Sequence, residues 1–241
     1  MPLTPERHTA EPAQPVSGRE GFDAQGAPAS GWPEGNSPCG VFVTFEGGDG
    51  VGKSTHIRYV ADELRRAGRE VVCLREPGGT GIGESLRAMV LDPENGEISS
   101  EAELLMYEAA RAQLVERVIL PALARGRVVV CDRFFDSTLA YQGFGRELGA
   151  PLARSANRMA CAGLAPDRTL VLDMNPEAAH VRACAQGADR MEREPDAFHE
   201  RVRAGFLQIA QDEPARVRVV DASGCTQEVW GRVRAELADL F

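Results

Sequence analysis

The sequence predicts an α/β fold in which helices cover both faces of a five-stranded parallel sheet. Short apolar runs typical of strands alternate along the chain with stretches whose apolar residues recur at helical spacing. Each strand run is apolar on both faces, which is typical of parallel strands buried on both sides. The two patterns together favour three layers, with the sheet between two layers of helices.

The elements of this fold can be read in order from residue 41. The first strand run ends at a glycine-rich turn, and the helix after it stops at Gly68. Strands are predicted at 41–45, 71–74, 127–131, 169–172 and 217–220. Helices are predicted at 54–67, 81–91, 100–124, 150–163, 176–184, 196–212 and 226–239.

The first 38 residues have a different composition. They hold seven of the fifteen prolines and few large apolar residues, so they cannot bury enough surface to offset the entropy of ordering. We therefore expect a disordered extension at 1–38, followed by one domain at 39–241.

Charge and cysteine content exclude several classes of protein. The chain has 241 residues and a net charge of -9, which argues against binding nucleic acid or an anionic membrane. No apolar run reaches the roughly 18 residues of a membrane span. The six cysteines form no CxxC pair, so we expect thiols of a reducing compartment rather than a zinc site. No basic and apolar leader opens the sequence, and we expect a cytoplasmic protein.

The strongest motif lies between the first strand and the first helix. It reads Gly47-Gly48-Asp49-Gly50-Val51-Gly52-Lys53-Ser54, the G-x-x-x-x-G-K-S pattern of a phosphate-binding loop, and Thr55 follows it. Glycines let backbone N–H groups curl around a phosphate, and the helix N-terminus adds partial positive charge. Lys53 is the only lysine among 27 basic residues. It would reach the β- and γ-phosphates of a nucleotide, and Ser54 would ligate Mg²⁺.

Two more motifs follow strands of the same predicted sheet. Cys131-Asp132-Arg133 ends one strand, where a carboxylate can hold Mg²⁺ and an arginine can clamp a phosphate. Arg75-Glu76-Pro77-Gly78-Gly79-Thr80 ends another, where Arg75 would contact a second anionic ligand. Open parallel sheets bind ligands at this edge. A strand-end ion pair and a plain turn are the alternatives.

Other candidates carry weaker signals. Tyr107 and Arg111 share one helix face at i, i+4 spacing. The tyrosine ring could stack on a flat heterocycle and the arginine could donate hydrogen bonds to it. A core tyrosine and a solvated arginine are the simpler explanation of the pair. Three polar side chains follow Asp132-Arg133, namely Ser137, Tyr141 and Gln142. An arginine-rich stretch at 182–203 is either a solvated helix face or a lid that closes over a transferring group.

Taken together, these motifs resemble those of bacterial thymidylate kinases. The matching pieces occur in the family's order, at 45–55, 75–80, 104–116, 132–143 and 189–192. The resemblance covers roughly residues 41–240 and implies the P-loop NTPase fold and a homodimer. It implies that Mg·ATP donates its γ-phosphoryl group to dTMP, giving dTDP.

The resemblance also implies roles for single residues. Lys53, Ser54 and Thr55 would hold the ATP phosphates and Mg²⁺. The position of Asp132 at a strand end, rather than the resemblance, adds it as a second metal residue. The remaining matches concern dTMP. Arg75 and Arg133 would grip its phosphate, Asp49 would meet the sugar 3′-hydroxyl, and Tyr141 would crowd the sugar 2′ position. At the base, Tyr107 would stack on thymine, Arg111 would donate to a base carbonyl, and Gln142 would line the site beside Ser137.

The catalytic arginine is the least determined part of the resemblance. Gly50 follows Asp49, so the phosphate-binding loop offers no arginine, and relatives of this type supply one from a lid. We expect a lid at about 182–195 with Arg190 as the arginine that meets the transferring phosphoryl group, and Arg182 or Arg193 as alternatives.

Two rival functions share part of this pattern. Another nucleotide or nucleoside kinase would keep the phosphate-binding loop and Asp132-Arg133 but differ at the acceptor site. A nucleotide-dependent switch or partitioning ATPase would hydrolyse ATP slowly without an acceptor. A GTPase switch is excluded, because its Asn-Lys-x-Asp motif needs a lysine other than Lys53.

Overall fold

The computed structural model of the chain describes residues 40–175, 179 and 189–241. The predicted extension at 1–38 lies outside these residues. So does the predicted helix at 176–184 apart from Ala179, and so does the 182–188 part of the predicted lid.

Within the described residues, five parallel strands form one sheet, as predicted. The strands are β1 (Val41–Glu46), β2 (Val71–Arg75), β3 (Val128–Asp132), β4 (Arg168–Asp173) and β5 (Val217–Asp221). Their order across the sheet is β2-β3-β1-β4-β5, and every pairing is parallel.

Helices lie on both faces of this sheet. They are α1 (Lys53–Arg66), α2 (Gly81–Leu91), α3 (Ser100–Leu114), α4 (Leu120–Leu123), α5 (Phe135–Thr138), α6 (Ala150–Cys161), α7 (Asp196–Asp212) and α8 (Thr226–Leu237). A π-helical turn, Val115–Ile119, joins α3 to α4, so the helix predicted at 100–124 is one helical run with a local change of pitch. No helix of the described residues is long and apolar enough to cross a membrane.

The central strands are buried on both faces, which is why their sequences are apolar throughout. Val128 and Val130 pack with β1, α1 and α8 on one face of the sheet. Val129 and Cys131 pack with the α3–α4 run on the other face. Burying each such side chain contributes roughly 1.5–3 kcal/mol, so the sheet is held between two cores.

One helical region was not predicted from the sequence. Residues 135–145 form α5 and a π-helical segment, Leu139–Gly145, directly after β3. The segment is short and contains two glycines, so it lacks the periodicity that marks a longer helix. Together, α5 and this segment carry Ser137, Tyr141 and Gln142 back over the edge of the sheet.

The strand order fixes where a ligand can bind. From β1 the chain crosses to β2 at one edge of the sheet and returns to β3 beside β1. It then passes β1 to reach β4 and β5 on the other side. Asp132 at the end of β3 lies level with Phe45 of β1 and with Arg75 of β2. The predicted motifs therefore meet at the carboxyl edge of the sheet, beside its topological switch point.

Candidate active site

The phosphate-binding loop connects β1 to α1 through backbone that favours glycine. Gly47 and Gly52 have φ values of 117° and 97°. A Cβ on Gly47 would collide with the backbone oxygen of Leu172. No side chain caps α1 at Gly52, and its first turn holds no acidic residue. The first N–H groups of α1 are thus left for an anion.

Lys53 at the start of α1 lies against this loop. Its Nζ donates to the backbone oxygens of Gly47 (3.1 Å) and Gly48 (2.6 Å) and lies 3.8 Å from Asp49 Oδ1. Burial, together with the nearby charge of Arg133, lowers the pKa of Lys53. A phosphate that replaces these carbonyl contacts would bring negative charge to the buried ammonium in addition to that of Asp49.

The two residues predicted to hold a metal lie together. Ser54 Oγ donates to Asp132 Oδ2 at 3.0 Å, which joins the start of α1 to the end of β3. Hydroxyl and carboxylate oxygens are the donors that Mg²⁺ prefers. Among the described residues, no group of three or more His, Cys, Asp or Glu side chains could hold a metal on its own. Ser54 and Asp132 would supply two of the oxygen ligands that such an ion needs.

Arg133 joins the β3 motif to the phosphate-binding loop. Its backbone takes the left-handed conformation (φ 69°), which turns its side chain back over β1. Its Nη1 donates to Gly47 O at 2.9 Å and its Nη2 to Asp49 Oδ1 at 2.7 Å. Burial alone would raise the pKa of Asp49, but the charges of Arg133 and Lys53 outweigh it and lower the pKa to about 2. Asp49 is therefore ionised at neutral pH.

Glu46 supports the loop that carries Arg133, and sequence reasoning missed it. It is fully buried at the end of β1. Its Oε1 accepts from the backbone N–H groups of Phe134 (2.7 Å) and Ser137 (3.3 Å). Its Oε2 lies 2.6 Å from Ser137 Oγ. Burial raises the pKa of Glu46 to about 8.

Arg75 and Arg87 bracket one carbonyl at the end of β2. Arg75 Nη1 and Arg87 Nη1 donate to Pro77 O at 3.2 Å and 3.0 Å. Burial and the neighbouring charge of Arg75 lower the pKa of Arg87. Arg87 was not singled out from the sequence. The signal was its position on α2, where it shares one face with the buried Gly83 and Val90.

The α3 helix contributes Tyr107 and Arg111 to the same region. Tyr107 is half-buried, and burial raises the pKa of its phenol. Arg111 is only 1% exposed, so it is not the solvated arginine of the simpler interpretation. Its guanidinium donates to Glu76 (2.8 Å), Thr138 (2.8 Å) and Glu108. Most of its donors are therefore occupied within the protein.

Arg190 is held by partners on α2 and α3. Its Nε donates to Val90 O at 2.7 Å and its Nη2 to Glu103 Oε2 at 2.5 Å, and the residue is only 8% exposed. A buried guanidinium needs such partners, and these point it into the protein. The role of Arg190 at the transferring phosphoryl group stays a prediction. Arg193, in the same turn, is exposed, and Arg182 lies outside the described residues.

A single cavity of about 570 Å³ unites most of these side chains. Of the predicted residues, it is lined by Asp49, Gly50, Gly52, Lys53, Ser54, Thr55, Arg75, Tyr107, Arg111, Asp132, Arg133, Ser137, Tyr141 and Gln142. Gly47, Gly48 and Val51 belong to the loop but do not line the cavity, and neither does Arg190. Arg87, Asp189 and Glu192 line it without having been predicted. Its size suits a nucleotide.

Comparisons with known proteins identify the family of the chain. The family model described as "Thymidylate kinase" matches residues 45–233. A thymidylate kinase of Desulfosudis oleivorans is 48% identical over 205 residues, covering 82% of this chain and 96% of that protein. One of Pelotomaculum thermopropionicum is 50% identical over 186 residues, covering 76% and 86%.

A solved structure extends the agreement to three dimensions. The crystal structure of thymidylate kinase from Ehrlichia chaffeensis has 32% sequence identity and a TM-score of 0.69. The match covers 83% of this chain and all of that one. The P-loop NTPase fold predicted from the sequence is thereby confirmed. The chain belongs to the thymidylate kinase family.

Proposed function

We propose that the chain transfers the γ-phosphoryl group of ATP to the 5′-phosphate of dTMP, giving ADP and dTDP. Membership of the family makes it a nucleoside monophosphate kinase. The observation that carries the proposal is the contact of Arg133 with Gly47 and Asp49. This contact supports the proposal because an arginine that would grip the acceptor phosphate lies against the loop that would hold the donor phosphates.

The donor nucleotide would be held by the loop between β1 and α1. The free N–H groups at the start of α1 and the ammonium of Lys53 face one region, where the β- and γ-phosphates would lie. Ser54 and Asp132 would hold Mg²⁺, which would supply positive charge to neutralise part of the charge of the phosphates.

The acceptor would lie across the cavity from the loop. Arg75, Arg87 and Arg133 supply positive charge for its phosphate, and Tyr107 offers a ring face for thymine. Tyr141 is only 7% exposed and lies under the guanidinium of Arg133, 5.1 Å from ring centre to carbon. A ring held this firmly would exclude a 2′-hydroxyl and select deoxyribose.

The reaction then needs positioning more than acid–base chemistry. A dTMP phosphate oxygen, already anionic, forms the new O–P bond, and the bond from the γ-phosphorus to the β–γ bridging oxygen breaks. ADP leaves with that oxygen. Lys53 and Arg133 stabilise the charge on the transferring group, which is where such sites gain most of their rate.

A homodimer is part of the proposal and is supported by one apolar face. Of the seven large hydrophobic side chains that are exposed in the described residues, five lie on α2, α3 and α6. They are Ile82, Met89, Leu105, Leu152 and Met159. The helix α3 packs against both α2 and α6, so the three form one surface. Seven-residue spacing puts the α2 and α6 pairs on single helix faces, which suits a second copy of the chain.

The test is coupled ADP release from Mg·ATP with dTMP, dUMP, dCMP, dGMP and thymidine as separate acceptors. We expect strong turnover with dTMP, weaker turnover with dUMP and almost none with the others. Preference for another acceptor would overturn the roles given to Tyr107 and Arg111 and favour a different nucleotide kinase. ADP release that ignores every acceptor would favour a switch ATPase.

A further inference from the structure

The carboxylate of Glu103 lies at the centre of a buried hydrogen-bond network beneath the cavity. Glu103 is on the first turn of α3 and has no exposed surface. Its Oε1 accepts from Gln142 Nε2 (2.8 Å) and Arg146 Nε (3.1 Å). Its Oε2 accepts from Arg146 Nη2 (2.9 Å) and Arg190 Nη2 (2.5 Å). Both oxygens are thus engaged by donors from three residues.

Two arginines keep this carboxylate charged. Burial alone would raise the pKa of Glu103, but hydrogen bonds from Arg146, Gln142 and Arg190 outweigh burial and lower the pKa below its ordinary value. An ionised carboxylate only accepts hydrogen bonds. Any group that contacts it must therefore present a donor.

This requirement determines which way the side-chain amide of Gln142 faces. Its NH₂ group must point to Glu103, so its oxygen must point the other way. Gln142 is 2% exposed, and what remains exposed lines the cavity together with Tyr107. Within the ranges that the structure describes, no group donates to the Gln142 side-chain oxygen. A ligand base that meets this oxygen must supply an N–H.

We propose that Glu103 is a positioning residue that fixes the oxygen of the Gln142 amide towards the acceptor base, so that the site selects pyrimidines with an N–H at ring position 3. Thymine and uracil carry this N–H, whereas cytosine has a bare acceptor nitrogen there. A bound cytosine would put its ring nitrogen at position 3 against the Gln142 side-chain oxygen, and both atoms are acceptors. Leaving such buried polar groups unpaired costs binding free energy, which is how polar sites reject analogues. This inference rests on the proposed function.

The substitution Glu103→Gln tests the orientation directly. Arg190 and the Nη2 of Arg146 would hold the oxygen of the new amide, so its NH₂ group would face Gln142 and the Nε of Arg146 would lose its acceptor. The Gln142 amide would then turn, with its oxygen to residue 103 and its NH₂ to the base. We expect the ratio of kcat/KM for dTMP over dCMP to fall about tenfold or more, with loss on dTMP and gain on dCMP.

Exchanging the two side chains should restore selectivity. In the double variant Glu103→Gln, Gln142→Glu, one oxygen of the carboxylate at 142 accepts from the amide at 103. The other oxygen faces the cavity as an acceptor again. We expect preference for dTMP over dCMP to return towards that of the unaltered chain. A double variant no more selective than Glu103→Gln would overturn the proposal.

Asp136→Asn is the matched control for lost stability. Asp136 is 1% exposed and is held by both terminal nitrogens of Arg216, yet it does not line the cavity. We expect it to lower the unfolding midpoint while leaving the dTMP:dCMP ratio unchanged. An equal fall in the ratio for Asp136→Asn and Glu103→Gln would show a general structural effect and overturn the positioning role. If the unaltered chain does not act on dTMP, the proposed function itself fails.

A measurement on the unaltered chain covers the case in which Glu103→Gln folds poorly. The NH₂ signal of Gln142, assigned by its loss in Gln142→Glu, is followed by side-chain ¹⁵N NMR. We expect slow hydrogen exchange with solvent both with and without dTMP, because Glu103 holds the group throughout. Exchange that slows only when dTMP binds would place the NH₂ against the base and contradict the proposal.

Discussion

Replacing the buried Glu46 by glutamine should change how stability depends on pH. The pKa of this carboxyl is raised by burial from 4.5 to about 8 in the folded chain. An unfolded chain exposes it to water, where the pKa is ordinary. Between these values the folded state holds a proton that the unfolded state releases. The contribution of Glu46 to stability is therefore fully present below about pH 4.5 and is lost as the pH rises to about 8.

The size of the effect follows from the two pKa values. Each pKa unit corresponds to about 1.4 kcal/mol, so the full shift is worth on the order of 5 kcal/mol. Glutamine is nearly isosteric with the protonated acid and does not titrate. Its oxygen can accept from the N–H of Phe134, and its NH₂ can donate to Ser137 Oγ once that hydroxyl, which donates to Glu46 in the structure, rotates to accept.

The assay is denaturant unfolding of the unaltered chain and of Glu46→Gln from pH 5 to pH 9. Two probes must give coincident transitions for the free energies to be used. We expect Glu46→Gln to gain about 1.4 kcal/mol per pH unit relative to the unaltered chain up to about pH 8, and then level off. Because the loop that carries Arg133 keeps its hydrogen bonds, phosphoryl transfer at pH 7 should stay close to normal. A difference that is constant across this range would show that Glu46 is ionised throughout and would refute the reasoning.

Three further substitutions test the donor site, the acceptor site and the dimer. Ser54→Ala should raise the Mg²⁺ concentration needed for half-maximal activity at least about tenfold, because a group that supports the metal is lost. Ser54→Thr keeps the hydroxyl and should not raise it. Equal Mg²⁺ requirements in the two variants would exclude a metal role for Ser54. Tyr107→Ala should raise the KM for dTMP about 10- to 100-fold, because the ring that stacks on the base is lost. Tyr107→Phe keeps the ring and should have a KM near normal. An unchanged KM in both variants would show that Tyr107 does not contact the base. Met159→Asp puts a charge on the exposed apolar face of α6 and should give a monomer in sedimentation. Val219→Asp, on β5, should leave the dimer intact. A monomer in both variants, or in neither, would contradict the α2–α3–α6 interface.

The fold was predictable because its signals are local. The runs at 41–45 and 127–131 are apolar on both faces, which only strands covered on both sides need. The phosphate-binding loop was equally clear, because Gly47 and Gly52 take conformations that other residues rarely adopt. Spacing alone was enough to put Asp132 and Arg75 at one edge, since both follow strands of a parallel sheet.

The parts that were missed depend on partners far away in sequence. Arg190 was singled out from an arginine-rich stretch, and nothing in that stretch indicated its partner Glu103, 87 residues earlier. No local pattern reports which carboxylate a buried arginine will find. Glu46 was overlooked for the same reason, because its partners Phe134 and Ser137 meet it only once β1 and β3 are paired.

Transfer of label from ATP is the most direct test of the central claim, that one cavity passes the γ-phosphoryl group straight to dTMP. The unaltered chain is incubated with γ-³²P-ATP and Mg²⁺, with and without dTMP, and nucleotides and protein are separated. The account predicts label in the β-phosphate of dTDP when dTMP is present, and neither labelled protein nor appreciable ADP when it is absent. Labelled protein, or ADP that accumulates equally without dTMP, would contradict it.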